Sequence, residues 1–417
     1  MRFRGLAIGV GVVAILLVLD FEIESVITDS SIRNLLYIAA CNVLAALSLN
    51  VINGMAGQFS IGHAGFIALG AYTSAVVGAH LNDAIAASQL HTTDPTAIAN
   101  FEPTFANSFL VMPVCLLASA LVAGLFGLMV GLPSLRLRGD YLAIVTLGFA
   151  EVVRLVISTA NPTTINPATG LPETIGEAWH AVRGLGSFFH ALSLTVNGLG
   201  GENGYMGTNT NGLPLYAGPF WVFGMTILVA IGAWRLKFSS WGRALRALRE
   251  DEIASAAVGV DPTRYKVTSF VISAVGASVA GCMLAMMHDG TGSVNPGDYK
   301  MDKSFEIITM VILGGSGSIS GAILGALFVT FTVKFIEYFQ GTSAGAAIRG
   351  PHDLGFTHLT VDLNALRMMI YAALLVAVVI SRPEGLFGER ELSGKQILRF
   401  FKRTLRRLRG LSPESAK

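Results

Sequence analysis

Charge is scarce in this chain: Asp, Glu, Lys and Arg supply 13% of its 417 residues, against about a quarter in ordinary soluble domains. That shortage excludes a common soluble globule, which needs a charged surface around its core. Cysteine is almost absent. Cys41, Cys115 and Cys282 all fall inside apolar runs and show neither disulfide nor metal spacing, so they read as small packing residues. Catalytic signatures are missing too. The chain contains no GxxxxGK[ST] phosphate loop, because the glycine run at 314–321 lacks the Lys-Ser/Thr pair and lies in an apolar segment. HExxH, GxSxG and CxxC do not occur. The chain has no recognisable site of its own for hydrolysing ATP, calls for no cofactor and reads as a non-enzyme.

What is present is long, continuous apolar sequence. Hydrophobic residues make up 52% and the mean hydropathy is +0.60, in runs close to the roughly 20 residues that span hydrocarbon. The 47 glycines suit transmembrane helices, which approach one another through small residues. Candidate spans fall at 5–20, 33–53, 62–80, 109–132, 140–158, 218–236, 266–287, 304–314, 319–339 and 363–381. The eighth is too short to cross alone. The first has the basic start and apolar stretch of a signal peptide but no small-x-small cleavage site, and is read as a retained span. The expected fold is all-α, a polytopic transmembrane bundle of about ten spans with broken, glycine-rich helices.

Charge distribution orients this bundle. With the N-terminus inside, the segments 1–4, 133–139, 237–265 with their flanks Arg235 and Lys266, and 382–417 hold 21 of the 29 Lys and Arg residues. The first outer loop instead carries Asp20, Glu22, Glu24 and Asp29. The positive-inside rule therefore places both termini in the cytoplasm. Residues 1–394 form one membrane domain, with an outer insertion at 159–217 and an inner loop at 237–265. The insertion, rich in Gly, Asn, Thr and Pro, reads either as a small external subdomain or as a disordered flap, with a weak helical pattern over Glu173–Leu192. The tail 395–417 places Leu398, Phe401, Leu405 and Leu408 opposite Arg399, Lys402, Arg403 and Arg406, a pattern for lying on an anionic bilayer surface. Because that basic run adjoins a span, a nucleic-acid partner is not expected.

Two glycine-rich stretches interrupt apolar runs, Gly54–Ala71 and Gly314–Ala326, and share a loose Ser-Ile…Leu-Gly-Ala pattern that hints at a duplicated unit. Helix breaks inside a membrane are tolerated where protein or a wet cavity satisfies the freed backbone, and in transporters they often line the path. Gly57, Gln58, Ser60 and His63 in the first stretch, and Gly314, Gly315, Ser316 and Gly317 in the second, are candidates for such a path. The competing reading is close packing, along a Gly317, Gly321, Gly325 ridge. Similar ridges, Ser119–Ala123–Gly127–Gly131 and Ser269–Ser273–Ala277–Gly281–Ala285, read as helix contact faces. Ionisable groups at membrane depth are costly and usually meet a partner or a wet cavity. Glu151, three residues from Arg154, and Glu306 are accordingly either ion-pair members or gating elements. For His63, a hydrogen bond to broken backbone is the expected role.

The inner loop WGRALRALREDEIASAAVGVDPTRYK (Trp241–Lys266) places Trp241, Leu245 and Leu248 at helical spacing, interleaved with Arg243, Arg246 and Arg249. Glu250, Asp251 and Glu252 then open a second helical segment, and Asp261-Pro262 marks its end. Arg246 and Glu250, four apart in the less favourable order, would contribute at most a few tenths of a kcal/mol. Docking, more than intrinsic stability, is expected to hold this helix.

Five ordered stretches carry a family resemblance: GMAGQFSIGHAGFIALGAYTSA (Gly54–Ala75), LRLRGDYLAIVTLGFAEVVRLV (Leu135–Val156), WGRALRALREDEIASAAVGV (Trp241–Val260), SFEIITMVILGGSGSISGAILGA (Ser304–Ala326) and RPEGLFG (Arg382–Gly388). Over about 33–388 the chain resembles the LivM-type permease subunits of bacterial ABC importers for branched-chain amino acids. The resemblance implies a multi-pass protein of the bacterial inner membrane. It would work with a LivH-like second permease, two ABC ATPase subunits inside and a periplasmic amino-acid-binding protein outside. The inner loop is similar to the family's EAA loop, which docks on the ATPases, with Glu252, Ala256, Ala257 and Gly259 as the closest positions. One departure stands out: a TGG- or TNG-type motif usually follows the fifth span closely, whereas TNTNGL (Thr208–Leu213) here comes after a long insertion. Urea or short-amide permeases share the same motifs and are the alternative, ahead of a secondary transporter.

Overall fold

Asp29, Asp251 and Asp261 set the helix starts around which this chain is arranged. The structure, a computed structural model, describes residues 2–91, 97, 100–134, 141–160, 198–207 and 212–341, with isolated positions at 352–353, 358–359, 373, 376, 380 and 391. Among the described residues eleven α-helices run in order: α1 (Arg2–Val26), α2 (Ser30–Leu49), α3 (His63–Leu90), α4 (Phe105–Ser134), α5 (Tyr141–Ser158), α6 (Pro219–Phe238), α7 (Ser240–Glu250), α8 (Glu252–Ala257), α9 (Pro262–Met286), α10 (Met301–Gly314) and α11 (Ile319–Gly341). Asp29 accepts from the Ser31 amide, Asp251 from Ile253 and Ala254, and Asp261 from Thr263 and Arg264. Each satisfies orphan donors at a helix start. Pro219 and Pro262 occupy first-turn positions, where the missing N–H has no cost. Among the described residues the only strand pair is His352–Asp353 with His358–Leu359.

Among the described residues six helices are long and apolar enough to cross a membrane, counting α2 through its extension to Met55, with α3, α4, α5, α6 and α9. A shorter apolar helix covers Ile319–Phe335, and α10 has only 14 residues, in line with the short eighth span. Most of the tenth expected span, 363–381, the helical pattern over 173–192, most of the 133–139 loop and the tail 395–417 lie outside the described residues. The chain is multi-pass and helical. One boundary differs from expectation: α1 runs unbroken to Val26, so Asp20 sits inside a helix and not in a loop. Its carboxylate accepts from the Phe220 amide at 2.8 Å, and this bond at the start of α6 is why the helix tolerates it.

At the centre α9 packs against α3, α4 and α2. The contact is backbone to backbone at small residues. A Cβ on Gly281 would lie 2.0 Å from the Ile67 carbonyl oxygen, and one on Gly70 2.2 Å from that of Ser278. The expected α9 ridge, with Ser269, Ser273, Ala277 and Gly281 all buried, is this interface. Its counterpart on α4 meets α9 through Gly127 and Gly131, against Ala274 and Phe270. The ridge in α11 needs correction. Gly317 lies outside the helix, at φ +86°, and the close approach to α10 is made by Gly314, Gly321 and Gly325. These bring the backbones of α10 and α11 together as one hairpin.

Helix ends sort to two faces of the bundle. One, the loop end, carries α7, α8, the ends of α2 and α10, and the starts of α3, α9 and α11. The other holds a clasp in which Arg33 meets Asp289 through two bonds, at 2.7 and 2.9 Å. There the described end of the 159–217 insertion is stitched to the segment after α9, by bridges Tyr205–Val294 and Ala217–Met287 and by Leu213 N donating to Gly292 O. That part of the insertion is built into the fold.

Candidate functional site: the junction of two helix breaks

The two glycine-rich stretches, far apart in sequence, meet. After α2 the backbone widens into a π-helical turn, Asn50–Met55, and the chain then crosses residues 56–62 before α3 begins. The second break separates α10 from α11. Asn50 joins them: its Oδ1 accepts from the Gly317 amide at 2.8 Å and its Nδ2 donates to the Ser318 carbonyl at 3.1 Å. Broken backbone left without partners would be expensive away from water, and one fully buried asparagine satisfies a donor and an acceptor of the opposite break. Asn53 does the same locally, accepting from Ser60 N at 3.1 Å.

Helix α7 reaches this junction. Leu245 and Leu248 are buried, and Trp241 stacks on Tyr265 of α9 with ring centroids 5.3 Å apart. The expected apolar face is therefore the docked face, but it docks on this chain's own bundle. Arg249 extends from it, and its Nη1 donates to the Gly54 carbonyl at 2.8 Å. Its aliphatic stem crosses Gly57, where a Cβ would lie 2.2 Å from Cγ of Arg249 and where φ is +67°. Gly57 must be glycine for both reasons. Arg249 Nη1 also lies 3.3 Å from where a Gly317 Cβ would sit. One guanidinium thus links the loop helix to both breaks.

The remaining candidates separate into different roles. Gln58 and Ser60 are buried in the first break, and the buried Oε1 of Gln58 has no hydrogen-bond partner among the described residues. Gly315 ends α10 with φ +111°, and Ser316 is exposed beside it. His63 differs from expectation: its Nε2 pairs with the Ser48 hydroxyl at 2.7 Å, a side chain and not broken backbone, while Ser48 O accepts from Ser273. It is a buried link among α2, α3 and α9. Glu151 and Arg154 form the expected pair on one face of α5, with Arg154 Nε 3.0 Å from both carboxylate oxygens. Glu306 pairs with Lys303 at 3.1 Å.

In the loop, Arg243 donates to Phe238 O, and Arg246 turns back to the carbonyls of Gly242 and Lys237. Glu250 pairs with Arg249 and not with Arg246, because Arg246 is drawn to the carbonyls at the end of α6. Glu252 meets Lys266 at 2.6 Å. Helix α8 presents its apolar residues outward: Ile253 is 84% and Val258 80% exposed, with Ala256 and Ala257 exposed beside them. Gly259 follows at φ +91° with open space around it, so its backbone conformation alone calls for glycine.

Sequence reading missed Lys237 and Glu391. The Lys237 ammonium, 5% exposed, meets Glu391 at 2.6 Å, and the same carboxylate accepts from Ile319 N, Ser320 N and Ser320 Oγ at 2.7–3.0 Å. Glu391 therefore caps α11 at the second break and ties it to the end of α6. Burial works to raise its pKa, but the donors Ile319, Lys237 and Ser320 together outweigh burial and hold it below the ordinary carboxylate value. A depressed folded pKa adds stability that is complete above the unfolded value, about 4.3, and lost as pH falls through the folded one. Thermal stability in detergent should therefore show the full contribution of this group, with no pH dependence from it, between about pH 5.5 and 8, and lose it on further acidification. Glu391→Ala, by breaking this buried ion pair and removing the cap of α11, should cost about 3 kcal/mol or more, read as a fall in melting temperature.

The fold and this junction define a multi-pass helical membrane protein with broken helices gripped by a loop helix, a permease architecture. The chain belongs to the branched-chain amino acid transport system permease component family, whose profile matches residues 31–379. It is 30% identical to the high-affinity branched-chain amino acid transport system permease protein LivM of Salmonella typhimurium over 347 residues, 82% of this chain and 67% of the relative. The LivM protein of Escherichia coli K12 is likewise 30% identical over 352 residues, with the same coverage. A probable LivM of Methanocaldococcus jannaschii is 25% identical over 84% of this chain and 91% of the relative. LivH of Escherichia coli K12 is 27% identical over 41% of the chain. No solved structure matches. The chain is a transporter permease and not an enzyme.

Proposed function

We propose that this chain is one of two permease subunits of an ATP-driven importer for branched-chain amino acids in a bacterial inner membrane. In this reading 1–394 is the membrane domain, with about ten spans and both termini cytoplasmic. The loop end faces the cytoplasm, 159–217 faces the periplasm, and 395–417 lies on the inner leaflet. The partners are a LivH-like permease, two ABC ATPases and a periplasmic binding protein. Arg243, Arg246, Arg249, Glu250, Glu252, Ala256, Ala257 and Gly259 make up the coupling loop.

The observation that carries the reading is the inverted polarity of α8. Isoleucine, valine and two alanines face outward at a charged end of the bundle, directly after the helix whose Arg249 binds the first break and lies beside the second. Exposed apolar side chains on a short helix suit a groove on a partner. A secondary transporter has no use for such a surface. Movement of α8 by an ATPase would travel through α7 and Arg249 to the breaks Gly57, Gln58, Ser60 and Gly314–Gly317. The family and the LivM relatives favour branched-chain amino acids over urea or short amides.

The test is co-purification. Ile253→Asp combined with Val258→Asp should abolish recovery of the ATPase subunits with the permease in detergent. The melting temperature of the permease should stay within about 1 °C, since exposed positions contribute little to stability. Full recovery of the ATPases would overturn the coupling role. Charge reversal at Glu252 or Arg246 should uncouple ATP hydrolysis from uptake with the permease still folded.

A further inference from the structure

Among the described residues, a region apart from the breaks combines open space with several charges. One cavity, about 650 Å³ between α3, α4 and α5, has walls such as Leu69, Phe126, Phe149 and Val153, and offers little to a polar solute. A second cavity, about 420 Å³, lies between α2, α9, α10, α11 and the segment between α9 and α10. Six charged residues line it: Asp298, Lys300, Asp302, Lys303, Glu306 and Lys334. Acids and bases are equal in number. Non-helical backbone at Thr291 and Ser293 forms part of the wall, and within a bundle such backbone is tolerated where it borders water.

A chain of bonds is organised around Lys303. Its ammonium donates to Glu306 Oε2 and to Asn42 Oδ1, each at 3.1 Å, and Asn42 Nδ2 donates to Thr330 Oγ1 at 2.9 Å. Asn42 is 1% exposed, and the side chains of Lys303 and Glu306 are 17% and 21% exposed. Helix α10 starts in this wall with no side chain capping it, which adds a positive helix end to Lys303. Apolar positions Ile38, Leu284 and Val333 complete the lining.

We infer that this cavity is the chamber that receives the substrate's amino-acid backbone, the carboxylate against Lys303 and the ammonium against Glu306, with Ile38, Leu284 and Val333 facing the aliphatic side chain. The inference rests on the importer reading and gives it a site. A zwitterion can enter the Lys303–Glu306 pair without leaving either charge unpaired, because each receives an opposite charge in exchange. A neutral urea or amide can replace neither. The chamber and the junction described above are built on the same two helices, α10 and α11. Glu306 and Thr330 lie on α10 and α11, the hairpin closed by Gly314, Gly321 and Gly325, and the break between these helices is where Asn50 and Glu391 bind, with Arg249 close to Gly317. A substrate in the chamber and an ATPase on α8 would thus act on the same hairpin.

The test uses the full transporter, co-expressed with its second permease, ATPases and binding protein and reconstituted in proteoliposomes. Lys303→Met should lower L-leucine uptake about tenfold or more, the loss of one charge-assisted contact, while binding-protein-stimulated ATP hydrolysis continues. Lys303→Arg should restore much of the uptake. Asp298→Asn, at an exposed position on the cavity rim, keeps the test open should the Lys303 variants fail to fold, and should raise the half-saturating leucine concentration. A third readout uses Ile38→Cys, with the three native cysteines fully buried. Its reaction with a small charged thiol reagent should slow in L-leucine and not in urea. Wild-type uptake of leucine together with unchanged uptake in Lys303→Met and Asp298→Asn, or Ile38→Cys labelling indifferent to leucine, overturns the chamber alone. A wild-type complex that imports no neutral amino acid overturns the importer reading and the chamber with it.

Discussion

Arg249→Ala should leave the permease folded and bound to its ATPases but reduce amino acids imported per ATP hydrolysed by roughly tenfold or more, an effect expected from losing a charged hydrogen bond of about 1.5–3 kcal/mol. The bond in question runs from Nη1 to the Gly54 carbonyl. It is the described polar contact from α7 to the first break. The rest of α7 is held by Leu245, Leu248 and the Trp241–Tyr265 stack, all of which survive the substitution. ATP hydrolysis would therefore proceed with its motion poorly delivered. Arg249→Lys should recover only part of the coupling, because an ammonium lacks the fork that reaches the Gly54 carbonyl while also pairing with Glu250. The measurement is paired uptake and phosphate release in the same proteoliposomes. A wild-type ratio in Arg249→Ala would remove Arg249 from the relay and move the search to Trp241 and Leu245.

The second large effect is on folding. Gly54→Ala places a methyl group 2.1 Å from Asn50 Oδ1 and 2.3 Å from the Gly317 amide. Neither neighbour is a flexible chain end that can swing aside. The methyl would force the two breaks apart and deprive Asn50 of its bond to Gly317, for a combined cost of about 3 kcal/mol or more from overpacking and an unsatisfied buried group. The expected result is loss of folded protein in the membrane, or a melting temperature lowered by many degrees. Gly259→Ala is the control. It meets nothing within 4 Å and strains only a φ of +91°, about 1–2 kcal/mol. Equal stability of the two variants would mean the breaks are not in contact.

Much of the fold could be read without coordinates, and the reasons are local. Spans are legible because hydrocarbon requires long apolar runs, and α2 to α6 and α9 fall where those runs lie. The α7–α8 division is legible because Asp251 and Asp261 are capping residues with a helical pattern beside them. The contact ridges on α4 and α9 are legible because small residues recur at helical spacing. Lys237 and Glu391 were not, since they are 154 positions apart and no periodicity relates them. Asn42 and Asn50 are polar residues within an apolar run, a signal that membrane depth makes informative, but it does not say which partner each one finds. The reading of Gly317 as part of a helical ridge failed because spacing cannot tell a glycine inside a helix from one that ends the break before it.

Composition and order alone determined a multi-pass helical chain, its missing ATP site, its charge asymmetry and the motifs that place it in a permease family. All of these depend on the solvent each segment prefers or on residues close together in sequence. Only the tertiary structure decided that the two glycine breaks face each other, that Arg249 and Glu391 hold them, and that Lys303 and Glu306 share a cavity with Asn42. Those arrangements depend on which backbones can approach closely enough to exchange hydrogen bonds. That is set by the packing of whole helices and is written in no single stretch of the chain.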